Sequence, residues 1–179
     1  MLQLAGGPNP VKREQSVVRA TWGSSYDDNL PYAVKPDRTL FRIGGQFGGN
    51  PGASQAVGTI YGYLNTLGTA IHWVSDDAAS ARSVKMEVTE FTNPFKGLLH
   101  VVAPSTAWAI GGANVDVLVT PPNGLSVLNA AVFPTAFPLN DLGNFFDWGI
   151  SPLDATHLRF TGNSTGFIQT RTLSALLVW

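Results

Sequence analysis

The chain has 179 residues, of which 44% are hydrophobic and 13% charged, with 19 Gly, 12 Pro and no Cys. That length suits one domain, and surface scaling has roughly 70% of the unfolded surface buried on folding, so a core forms without covalent staples. The missing Cys excludes a disulfide scaffold, a thiolate metal site and a thiol nucleophile. A net charge of −1 excludes a generic polyanion binder on bulk electrostatics.

The first fifteen residues, Met1 to Gln15, hold two Pro, two Gly and no hydrophobic period. Prolines remove backbone donors and bias their neighbours toward extended geometry, so residues 1–15 read as an arm ahead of a single β domain over 16–179. Leu2, Leu4 and Val11 are apolar residues that a solvated tail does not need, and they make the arm a candidate for docking. Lys12 and Arg13 near its base add charge.

Beyond the arm, Gly and Pro clusters recur between short apolar runs, the punctuation of strands. The runs predict strands over Val17–Trp22, Thr39–Ile43, Thr59–Leu64, Ala70–Val74, Val84–Phe91, Leu98–Ala103, Val115–Thr120, Ser126–Phe133, His157–Phe160, Phe167–Thr170 and Leu173–Trp179. Val84, Met86 and Val88 alternate with Lys85, Glu87 and Thr89, the period of a half-buried strand. Helical period is nearly absent; Asp77 to Arg82 makes one short turn at most. The expected class is all-β, an antiparallel β-sandwich or jelly-roll-like barrel.

Charge is unevenly distributed. Residues 1–42 carry +2, whereas Gly97 to His157 has no Lys or Arg against Asp116, Asp141, Asp147 and Asp154. Opposite potentials orient association, so copies meeting front to middle fit this pattern. Met1–Pro10 lacks the basic and apolar regions of a secretory signal, and no run reaches the ~18 apolar residues of a membrane span.

The search for chemistry returns little. His72, His100 and His157 each lie within an apolar strand and share no tight ligand spacing, which gives a zinc site little support. No Gly-x-Ser-x-Gly elbow is present. Gly44-Gly45-Gln46-Phe47-Gly48-Gly49 lacks the Gly-Lys-Ser/Thr ending of a phosphate loop and reads as a turn. Asp27-Asp28 and Asp76-Asp77 lack calcium-loop spacing and read as turn or capping residues. Asn163-Ser164-Thr165 forms a glycosylation sequon that reads as a turn. No cofactor is expected.

Aromatics remain. Phe145, Phe146 and Trp148 cluster between Gly143 and Gly149, where core pairing is hard to place, and are candidates for a subunit contact or a sugar-stacking platform.

The last 48 residues, Val132 to Trp179, resemble the tip domains of bacteriophage tail fibres. The shared pieces are Val132-Phe-Pro-Thr-Ala-Phe-Pro, Asn163-Ser-Thr-Gly-Phe167 and a closing strand Ser174–Trp179. Those domains usually finish in an Ile-Gly-Tyr-like ending, whereas this chain has Leu177-Val178-Trp179. Composition and arm resemble phage capsid, decoration and tail proteins more broadly. The resemblance implies a non-enzymatic virion structural protein, assembled in the host cytoplasm. Its partners would be itself and other virion proteins, with no direct nucleic-acid or membrane binding. A carbohydrate- or receptor-binding β-sandwich is the alternative, and a glycan-active hydrolase ranks below it.

Overall fold

A computed structural model describes residues 11–19, 25–49, 59–75, 82–122, 124–138, 146–165 and 169–179. In chain order the strands are β1 (Val11–Arg19), β2 (Ser25–Asn29), β3 (Thr39–Gly49), β4 (Thr59–Leu64) and β5 (Ala70–Ser75). They continue with β6 (Arg82–Phe91), β7 (Leu98–Val102), β8 (Thr106–Trp108), β9 (Ala113–Leu118) and β10 (Ala131–Pro134). The last are β11 (Ala136–Pro138), β12 (Phe146–Pro152), β13 (His157–Ser164), β14 (Gln169–Arg171) and β15 (Ser174–Val178). Two single 3-10 turns, Pro36–Arg38 and Val127–Asn129, are the helical content of the described residues. The fold is all-β and sandwich-like, and every strand pair is antiparallel.

The sheets run β1-β6-β3, β11-β4-β5-β2, β10-β15-β7 and β12-β13-β9, with β14-β8 as a short ribbon. Two apolar clusters lie between them. Val17, Phe41, Ile60, Ile71, Trp73, Val84, Met86 and Val88 fill the first, with Leu176 and Val178 of β15. Val101, Trp108, Val119, Leu158 and Phe160 fill the second, with Leu173, Ala175 and Leu177. β15 is therefore covered on both faces, which accounts for the apolar run Ala175–Val178 that follows Ser174, since a strand solvated on one face alternates. Leu173, Leu176 and Val178 are fully buried, and Trp179 is half-buried with its indole N–H donating to the Ser126 carbonyl at 2.7 Å.

Several expectations change. Residues 11–15 of the expected arm are strand, paired with β6 from Val11↔Phe91 onward, while residues 1–10 lie outside the described residues. The reason is alternation among polar side chains: Val11, Arg13 and Gln15 are partly buried while Lys12, Glu14 and Ser16 are more exposed. β2 and β12 are strands in segments that read as turns. Asp27 and Asp28 lie on β2, where they face His72 and Ile71 of β5 in register. Ser126–Phe133 opens with the 3-10 turn and becomes strand only at Ala131. Asn163 and Ser164 close β13 where a turn was expected. Of the turn expected at Asp77 to Arg82, residues 77–81 lie outside the described residues and Arg82 opens β6.

Candidate functional site

The sheet β12-β13-β9 presents two unlike faces. Trp148, Ile150, Leu158, Phe160, Val115 and Val117 alternate toward the second core. The intervening residues, Asp147, Gly149, Arg159, Thr161, Asn163, Asn114, Asp116 and Leu118, alternate to the opposite face. Register sets Asp147 beside Asn163, and Gly149, Thr161 and Asn114 in one row across the three strands. Directly opposed residues have Cβ atoms ~5 Å apart, so these polar groups converge.

At this end of the face lies a groove of about 450 Å³. Its lining comprises Asn114, Asp147, Trp148, Thr161 and Asn163, with glycines at 111, 112, 149 and 162 and Ala113. Gly149 supplies the hollow: a Cβ there would stand 3.0 Å from Thr161 Oγ1. The Thr161 hydroxyl donates to the Gly149 carbonyl at 3.3 Å, leaving its lone pairs to accept. The Gly111 N–H donates to Asn163 Oδ1 at 3.1 Å, which fixes that amide and turns its NH₂ free to donate. Gly111 and Gly112 hold φ of 90° and 100°, a conformation that side-chain-bearing residues avoid. The groove thus offers a carboxylate acceptor, amides that donate and accept, and a hydroxyl, with no Lys or Arg in its lining.

The other feature is the free edge of β9. Among the described residues β9 pairs with β13 alone, so half of its backbone groups face away from the sheet. Sheet edges are commonly guarded by Lys, Pro or a bulge. β9 reads Ala-Asn-Val-Asp-Val-Leu and carries none of these. Its one charge, Asp116, is held by Arg159 through two 2.7 Å bonds, and that guanidinium keeps the carboxyl below its usual range. Leu118 at the end of the strand is 70% exposed, and Ile110 just before it is exposed too.

Of the expected assembly residues, those described lie on two different sheets. Leu2, Leu4 and Phe145 lie outside the described residues, and Phe146 pairs with Ser164 at the start of β12. Val11, Lys12 and Arg13 sit at the far end of another sheet. Lys12 Nζ reaches Glu90 Oε1 at 3.1 Å, and the Arg13 guanidinium lies 4.7 Å from the Tyr32 ring centroid and donates to the Ala33 carbonyl. Both basic residues therefore have partners within their own chain. Trp148 does line the groove, and also a smaller cleft of about 130 Å³ with Val132, Pro134 and Ile150. Neither the groove nor the β9 edge was legible beforehand, because both depend on which strands pair and in what register.

Each histidine has a local partner. His72 Nδ1 is 2.8 Å from Asp27 Oδ1, and His157 Nδ1 is 2.9 Å from Asp154 Oδ2. The backbone N–H of Thr156, then the His157 ring, holds the Asp154 carboxyl down to about 2. Burial lowers His100 to about 4, so it is neutral, and its Nε2 lies 2.9 Å from Thr135 Oγ1. Among the described residues no three His, Asp or Glu side chains gather as a metal site. Comparison with protein-family models, with curated proteins and with solved structures finds no match to this chain.

Proposed function

We propose that this chain is a non-enzymatic structural protein of a virus particle that assembles with copies of itself through sheet edges. The observation that supports this most is the unguarded edge of β9. An edge that carries Val115 and Val117, ends in exposed Leu118 and is free of Lys and Pro is a template for strand addition. Strand addition takes its affinity from main-chain hydrogen bonds and therefore suits repeated copies of one chain. The virion setting rests on the charge-poor composition and on the resemblance read from the sequence of residues 132–179. Other virion proteins would be further partners.

Size-exclusion chromatography with light scattering on the full chain tests the reading. The expected result is an oligomer whose mass rises with concentration. A clean monomer at high concentration contradicts it.

A further inference from the structure

We infer that the groove at the end of the β12-β13-β9 sheet is a binding site for a neutral saccharide. This goes beyond self-assembly and does not depend on it. The groove's volume, about 450 Å³, falls within the usual ~300–1,000 Å³ of small-molecule sites and leaves room for a short saccharide.

The lining selects the ligand class. A carboxylate accepts from ligand hydroxyls, and carboxamides donate to and accept from the same kind of group. Asp147 and Asn163 are cross-strand neighbours, and so are Thr161 and Asn114. Two adjacent hydroxyls of a sugar ring can meet a carboxylate oxygen and an amide N–H together, each hydroxyl acting as donor and acceptor. Asp147 and Asn114 are exposed, so they reach a ligand without rearrangement of the core.

What is missing from the lining narrows the class further. With no Lys or Arg to offset Asp147, a phosphate, sulfate or acidic sugar would meet uncompensated negative charge. Gly149 and Gly162 in the lining present backbone, which a polar ring can approach closely and an apolar ligand gains little from covering. Trp148 also lines the groove, with its side chain packed on the second core. The arrangement therefore fits a neutral polyhydroxylated ring better than an anion or an apolar molecule.

The full-length chain on a printed array of neutral and sialylated glycans, followed by titration calorimetry with the best neutral oligosaccharide, is the test. Binding to neutral glycans is expected, with Asp147→Ala and Asn114→Ala each weakening it about tenfold or more. Asn114→Phe, which fills the groove from an exposed position, should abolish it. Leu118→Lys, on the β9 edge, should leave saccharide affinity unchanged and so separates this site from assembly. Preference for sialylated glycans, a neutral-glycan signal that survives both alanine substitutions, calcium binding in its place, or no binding at millimolar saccharide would each overturn the inference.

Discussion

Leu176 and Leu177 are adjacent in β15, yet their side chains lie in different cores: Leu176 in the cluster that holds Phe41 and Met86, Leu177 in the one that holds Trp108 and Phe160. Both are fully buried. A strand shared in this way ties the two cores together, because losing its order opens both. Leu176→Ala and Leu177→Ala should each destabilise the fold by ~2–5 kcal/mol. Denaturant unfolding followed by fluorescence and by circular dichroism should show coincident transitions for both variants. Separate transitions would mean that the cores unfold independently.

The N-terminal segment makes a second prediction. Glu90 is only 1% exposed, and its Oε1 accepts from Lys12 Nζ and, at 3.3 Å, from the Lys35 N–H. Its Oε2 is buried with no hydrogen-bond partner. Removing the ammonium strands this carboxylate, so Lys12→Met should cost about 1–3 kcal/mol. Adding Glu90→Gln should recover part of that loss, a non-additivity that chemical denaturation of the cycle reads directly. Deleting residues 1–15 should lower thermal stability, because it removes the first half of β1 along with Lys12.

Acid sensitivity should come first from His100. Its folded value of about 4 lies below the ordinary 6.5, so between these limits the unfolded chain binds more protons. The contribution is complete above pH 6.5 and is lost as pH falls toward 4, by up to about 3 kcal/mol. Asp154, held at about 2, also loses its contribution on acidification, but only below the usual carboxylate range. Urea midpoints from pH 7 to 4 should fall for the native chain and fall less for His100→Gln.

How much of this the sequence carried depends on the strand. Val84, Met86 and Val88 announced the buried face of β6 by strict alternation, and Ala175 to Trp179 announced burial by being apolar throughout. β2, Ser-Tyr-Asp-Asp-Asn, gave no apolar signal, because cross-strand pairing sustains it. Asp28 accepts from Arg19 at 2.7 Å, and that guanidinium lies 3.6 Å from the Tyr26 ring centroid. β12 read as turn-rich because its start lies between Gly143 and Gly149, and its Pro152 is tolerated where a strand pairs on one side. The groove gathers residues from β9, β12, β13 and the approach to β9, which are up to 52 positions apart in the Gly111–Asn163 contact. No spacing within a single segment encodes such a site; only register does.

For assembly, Leu118→Lys is the most informative substitution. Leu118 is exposed and contributes little to either core, so folding should be unaffected. A lysine there supplies the guard that β9 lacks. Sedimentation velocity should show association weakened about tenfold, equivalent to about 1.4 kcal/mol. Unaltered association would move the contact elsewhere.

The most direct measurement of edge-mediated assembly is hydrogen exchange of the peptide spanning residues 113–118, compared between dilute and concentrated protein. If copies add strands at β9, its outward amides gain partners on association. Protection in this peptide should then rise with concentration, while peptides from β6, already paired on both sides by β1 and β3, stay constant. Exchange at β9 that does not change across a range where the oligomer forms would contradict the account.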